Sequence, residues 1–196
     1  LPRDRARALL GVPRGQRRLV AVGRLVKIKR FEDFVETVRA LPDVHADLVG
    51  DGPERDRLTA LAKQRTQGRL VVRGAAADVA KHLAAYDAVV LPSVREGCPL
   101  VAVEAFAAGV PVVGYDVPGV RDALTELGRG VLVPEAEGPS GLAAAVAGLL
   151  DDPARAAQLV ADARGAVRTC DPDAVAAQLV AAYRGGSAAA VAEPLP

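Results

Sequence analysis

The sequence has no methionine and no tryptophan, and only 3% of its 196 residues are aromatic. So sparse an aromatic set argues against a core of stacked rings and for small aliphatic packing, since alanine supplies much of the 51% hydrophobic content. Two cysteines, Cys98 and Cys170, are too few for a disulfide framework, and neither has metal-ligand spacing around it. Both read as reduced thiols in a cytoplasmic protein. The only histidines, His45 and His82, lie far apart and read as structural. An excess of one charge is also missing. With 25 basic and 24 acidic residues the net charge is +1, so no overall field draws the chain to nucleic acid or a membrane. No apolar run approaches the ~20 residues of a membrane-spanning helix, and the start, Leu1-Pro2-Arg3-Asp4-Arg5, has no signal-like apolar stretch. The lack of methionine sets the expectation that the chain is a piece of a longer protein.

What is present is alternation. Short β-branched runs predict strands over 19–22, 46–49, 70–72, 87–91, 111–113 and 131–133. Helical patterns fall between them. Phe31, Phe34, Val35 and Val38 sit at helical spacing over 31–40, and further helices are expected over 53–64, 78–85 and 99–108. From Ser140 on the pattern is helical, with breaks at Asp151-Asp152-Pro153 and Cys170-Asp171-Pro172. A basic amphipathic helix is expected in the ten or so residues before Leu19. This order predicts an α/β fold: a Rossmann-like parallel sheet with helices on both faces, and ligands at the carboxyl ends of the strands. Residues 1–184 form that domain in this reading, and 185–196 form a disordered tail.

The unusual residues gather at three predicted strand ends. After the first strand come Gly23 and Arg24, with Lys29 five residues beyond. Arginine offers phosphate a planar fork and lysine a mobile point charge. The plain alternative is a solvated basic loop, since Lys27 and Arg30 are charged too. After the fourth strand, Glu96 and Glu104 stand eight apart, with Gly97, Cys98, Pro99, Leu100 and Val101 in the turn that opens a helix. First-turn amides and the helix dipole there suit an anion. Glu104, among Val101, Val103, Ala105 and Phe106, reads as a buried carboxylate that ligand hydroxyls would satisfy. The alternative is an exposed helix glutamate. The third end, Gly114 through Asp122, reads as a plain turn that could cover the same crevice.

Gly23-Arg24-Leu25 with Lys29, then Pro92-Ser93 through Glu96, Gly97, Leu100 and Glu104-Ala105 to Gly109, Pro111 and Val112-Val113, strongly resemble glycosyltransferase family 4. Val49-Gly50-Asp51-Gly52-Pro53 adds to the likeness, which runs in order over residues 1 to 170. The resemblance implies one half of a GT-B fold, the C-terminal donor-binding domain of a retaining transferase that uses a UDP or GDP sugar and needs no metal or other cofactor. It implies that Arg24 and Lys29 bind the diphosphate, Glu104 the ribose and Glu96 the donor sugar. Amides from Gly97 to Val101 would hold sugar and phosphate, and the stretch from Gly74 through Asp78 and Lys81 would flank the base. The acceptor, and any membrane contact, would fall to an N-terminal domain that these residues do not include. Two departures stand out. Cys98 replaces the family's usual phenylalanine, which bears on the choice of sugar. Pro118, Gly119 and Asp122 stand where the family often has two glycines and a later glutamate.

Other nucleotide folds fit less well. Gly50-Asp51-Gly52-Pro53-Glu54-Arg55 lacks the third glycine of a dinucleotide turn, and no glycine-lysine-serine/threonine phosphate loop occurs. A GT-B-like sugar epimerase or phosphorylase, and a binding module without activity, stay open as alternatives.

Overall fold

All six predicted runs open their strands within two residues of the expected start, and all six pair in parallel. The computed structural model describes residues 1–76, 78–126, 130–167, 176 and 180. The strands are β1 (Arg17–Val22), β2 (Val44–Val49), β3 (Leu70–Arg73), β4 (Ala88–Leu91), β5 (Val112–Tyr115) and β6 (Val131–Val133). Their order is β3-β2-β1-β4-β5-β6, that of a doubly wound sheet. The β1–β2 ladder is set by Val20 opposite Asp47 and Val22 opposite Val49. Residues of β4 and β5 are buried on both faces, whereas edge strand β3 alternates and leaves Val71 exposed. That is how a parallel sheet covered on both sides differs from its margin.

Right-handed crossovers in this order send the helices to opposite faces. On one side α2 (Phe31–Ala40) packs against α3 (Arg55–Thr66) and α7 (Gly138–Asp151). On the other, α5 (Leu100–Ala108) packs against α4 (Val79–His82), α6 (Val120–Glu126) and α8 (Pro153–Val167). Phe31, Phe34, Val35 and Val38 of α2 are all buried, as their spacing requires. Asp152 separates α7 from α8 and accepts the Arg155 N–H at 2.9 Å, capping the second helix. Among the described residues no helix is long and apolar enough to cross a membrane.

Several expectations need correction. The amino-terminal helix, α1 (Arg3–Leu9), lies further from β1 than expected, because Gly11, Pro13 and Gly15 interrupt the approach. Helix α3 begins at Arg55 rather than Pro53: Pro53 and Glu54 form a turn in which Glu54 N–H donates to the Leu25 carbonyl at 3.0 Å. The stretch read as a plain turn, Gly114 through Asp122, runs into the start of α6. Gly119 (φ +78°) opens it, and Asp122 reaches back to accept the Gly119 N–H at 3.2 Å, half of a capping box. The tail over 185–196 and the break at Cys170 lie outside the described residues.

The sheet also buries a polar cluster. Asp47 of β2 is fully buried and accepts from Arg18 twice (both 2.9 Å), from Arg73 Nε (2.8 Å) and from the Tyr86 hydroxyl (2.8 Å). Burial alone would raise the Asp47 pKa, but the donors from Arg18, Arg73 and Tyr86 outweigh it and hold the carboxyl below its ordinary value. Burial and the Asp47 charge together push the Tyr86 phenol well above its own.

Candidate functional site

The carboxyl ends of β1, β2 and β3 meet at one side of the sheet. Val22, Gly23, Arg24, Val49, Gly50, Asp51, Ala75, Ala76 and Val79 line an open cavity of 320 Å³ there. Two larger cavities, of 480 and 440 Å³, lie at the opposite, amino ends of the strands near Arg3 and Asp87. None of the sequence candidates lines either. In an open parallel sheet the ligand crevice lies at the carboxyl ends, where orphaned amides point outward, so position outweighs volume.

The crevice floor is a close backbone seam. Gly23 N–H donates to the Val49 carbonyl at 3.0 Å and Leu25 N–H to the Asp51 carbonyl at 2.8 Å. A Cβ on Gly50 would lie 1.8 Å from the Gly23 carbonyl oxygen, so only glycine allows the two strand ends to meet. Arg24 stands exposed on this floor and, among the described residues, has no ion-pair partner. Lys29 closes a 3₁₀ turn (Lys27–Lys29) that folds back over Gly23, its Nζ 3.9 Å from where a Gly23 Cβ would be. The two cations expected after β1 are therefore both at its end, one free and one engaged.

Lys29 is engaged by Glu96. Its ammonium lies 2.6 and 2.7 Å from the two carboxylate oxygens, and the Ser93 hydroxyl donates to Glu96 Oε1 at 2.6 Å. Two backbone bonds hold the loops in register. Val94 N–H donates to the Ile28 carbonyl (3.1 Å) and Glu96 N–H to the Pro118 carbonyl (3.2 Å). Beyond lie Gly97 and Cys98, both exposed, whose amides make no hydrogen bond among the described residues. Pro99 is the N-cap of α5, not its first residue, and the Leu100 amide turns inward to the Cys98 carbonyl at 2.9 Å. That removes one donor from the expected set between Gly97 and Val101.

Glu104 is not buried. Helix α5 packs Ala102, Ala105 and Phe106 inward, and Glu104 sits about 200° around from Ala102, facing solvent. It has no hydrogen-bond or ion-pair partner among the described residues. Its carboxylate thus opens toward solvent rather than into the core. Gly74 lies at the cavity rim with the Arg55 guanidinium against it, and Arg55 is tied to Asp51 at 3.0 Å. Asp78 and Lys81 pair with each other at 2.9 Å on the outer surface. Hydrogen bonding and charge from Lys81 hold the Asp78 carboxyl below its ordinary pKa.

Sequence reasoning missed several contributors. Ser93 stands three residues before Glu96 in a loop, a spacing that could have suggested a bond. Ala75, Ala76 and Val79 fall within the stretch from Gly74 through Lys81 expected beside the base, and Asp51 within the quoted motif, though none was singled out. Arg30, read as part of a solvated loop, is held in the left-handed region (φ 46°). It pairs with Asp33 (2.8 Å) and Glu135 (2.9 Å) and lies over the Tyr115 ring, whose hydroxyl donates to Asp33 at 2.8 Å. This anchors the residue that follows Lys29.

Among the described residues no three histidine, cysteine, aspartate or glutamate side chains gather closely enough to hold a metal ion. The family described as glycosyl transferases group 1 matches residues 16–152. A putative teichuronic acid biosynthesis glycosyltransferase, TuaC of Bacillus subtilis, is 40% identical over 121 residues, covering 60% of this chain and 29% of its own. Among solved structures, sucrose-phosphate synthase from Thermosynechococcus elongatus superimposes with a TM-score of 0.84 at 31% identity, covering 94% of this chain and 49% of its own. Anabaena Alr3699/HepE in complex with UDP-glucose does so at 0.80 and 25%, covering 94% of this chain and 52% of its own. The chain spans 29% to 48% of the length of the curated relatives it matches. The sheet, its strand ends and these likenesses agree: the chain belongs to the group 1 glycosyltransferases, with the Rossmann-like α/β architecture of GT-B enzymes.

Proposed function

We propose that this chain is the C-terminal, donor-binding domain of a retaining, metal-independent glycosyltransferase of family 4, acting on a UDP or GDP sugar in the cytoplasm. The observation that carries the reading is the convergence of Arg24, Lys29 and Glu96 at the ends of β1 and β4, where the strand order reverses. The HepE structure with UDP-glucose is a 25%-identical relative of the same fold, which supports a nucleotide-sugar donor. Arg24 and Lys29 take the diphosphate, Glu104 the ribose hydroxyls and Glu96 the sugar. Gly97, Cys98 and Val101 contribute amides, while Gly74, Asp78 and Lys81 flank the base. Reaction breaks the bond between the anomeric carbon and the diphosphate oxygen, and the acceptor oxygen bonds to that carbon on the same face as its proton passes to the departing diphosphate. The two cations stabilise charge as it gathers on the departing diphosphate. No further cofactor takes part.

The acceptor site belongs to a domain outside these residues, so the chain alone binds donor but turns over slowly or not at all. A calorimetric panel of UDP, GDP and ADP sugars tests the reading, and robust transfer by these 196 residues alone would overturn the division of labour. An epimerase is distinguished by its product, since it alters the nucleotide sugar with no acceptor present. Glu104→Ala sharpens the test. Because Glu104 is exposed and makes no hydrogen bond or ion pair among the described residues, the variant keeps its melting temperature, while nucleotide affinity falls about tenfold or more, the value of one or two charge-assisted hydrogen bonds. Unchanged affinity would remove Glu104 from the ribose.

A further inference from the structure

In the free chain Lys29 and Glu96 neutralise each other, yet the proposed reaction gives them different partners. Once Lys29 turns to the diphosphate, a carboxylate only 9% exposed loses its counter-charge. Such a group needs a replacement donor that does not leave with the lysine. Ser93 has the right placement. It is 1% exposed, follows Pro92 directly after β4, and donates to Glu96 Oε1 at 2.6 Å. Among the described residues its hydroxyl has no other acceptor. Resting on the donor-binding reading above, we propose that Ser93 is a positioning residue for the donor sugar. It holds Oε1 of Glu96 after Lys29 has moved, so that Oε2 faces outward to accept a sugar hydroxyl.

This role is separable from folding. The loop backbone is fixed by Val94 N–H on the Ile28 carbonyl and Glu96 N–H on the Pro118 carbonyl, neither of which involves the Ser93 side chain. In the free chain Lys29 still grips both carboxylate oxygens when the hydroxyl is absent. The free chain therefore feels no loss, which appears once a diphosphate draws Lys29 away and is largest with the sugar in place.

The test compares a nucleoside diphosphate with its sugar conjugate, by calorimetry on the whole 196-residue chain. The quantity read is the affinity gained from the sugar. In Ser93→Ala we expect a modest loss for the nucleoside diphosphate, which also draws Lys29 away, and a larger one for the conjugate, so that the affinity gained from the sugar falls by roughly tenfold, the size of one hydrogen bond to a charged group. In a Glu96→Ala background, the further change Ser93→Ala should have no effect on the sugar gain, because the two act as one unit. The proposal is overturned if Ser93→Ala leaves the sugar gain intact, if it weakens both ligands equally, or if its effect persists without Glu96. A parent chain that binds neither ligand would overturn the donor-binding reading itself, a separate and recognisable failure.

Discussion

Asp47→Ala is expected to destabilise the chain by about 3–5 kcal/mol, the cost of removing one partner from a buried ion pair. The carboxylate lies at the centre of β2 with β1 and β3 on either side, and three side chains converge on it. They do not suffer equally. Arg73 is 43% exposed and can turn to water, whereas the Arg18 side chain is 11% exposed and Tyr86 3%. The loss therefore falls on Arg18 and Tyr86, left with donors facing an apolar hole. Denaturant unfolding should show a lower midpoint with an unchanged slope. If the cluster serves only to satisfy its own charges, a triple change of Asp47→Leu, Arg18→Met and Tyr86→Phe should recover most of the loss.

The same carboxylate sets a pH dependence. Its folded pKa lies below the unfolded value of about 3.9, so its stabilisation is complete above that pH. As pH falls further the unfolded chain takes up the proton first, and the stabilisation is lost as pH passes down through the folded pKa. Asp47→Asn should flatten that acid limb. His45 adds a second window of the same sign. Burial, then the charges of Arg18 and Arg69, lower its pKa, so the neutral ring is favoured and stability declines as pH drops below about 6.5.

None of this cluster is legible locally. Asp47 meets Arg18, Arg73 and Tyr86 across 29, 26 and 39 residues, and no periodic pattern announces such meetings. The strands were legible because each is a short β-branched run bounded by glycine, proline or charge, and in β4 and β5 burial on both faces leaves little else they could be. Helix α2 was legible because its apolar residues mark one face. Helix α5 offered no such contrast: Leu100-Val101-Ala102-Val103 and Ala105-Phe106 are apolar all round. The orientation of Glu104 was decided instead by where α4 and α8 press on the helix. The glutamate pair was visible as a spacing, yet the pairing of Lys29 with Glu96 depends on two loops 67 residues apart brought together by the β1–β4 neighbourhood. Helix α6 was hidden by its own entrance, since Val117-Pro118-Gly119 reads as a turn and only the bond from Gly119 N–H to Asp122 shows it to be a start.

That entrance supports the second large effect, Gly119→Ala. Gly119 holds φ at +78°, which costs a residue with a Cβ about 1–2 kcal/mol. The Cβ would also lie 2.0 Å from the Glu96 carbonyl oxygen and 2.6 Å from its carbon, both backbone atoms with no flexible end to swing aside. Overpacking of this kind adds about 1–3 kcal/mol, for a total near 2–5 kcal/mol. In a domain of this size that lowers the melting temperature by roughly 5–15 °C. Gly68 supplies the control, because it has φ +82° but nothing within 4 Å of its Cβ position. Gly68→Ala should cost only the conformational share. The excess at position 119 has to be relieved by moving either the start of α6 or the Glu96 loop, and both break the bond from Glu96 N–H to the Pro118 carbonyl. Glu96 then shifts relative to Ser93 and Lys29, while Arg24 and Glu104, carried on other elements, stay in place. The expected signature is retained nucleoside diphosphate binding with a reduced gain from the sugar. Equal losses of stability at positions 68 and 119 would show that the two loops do not brace each other.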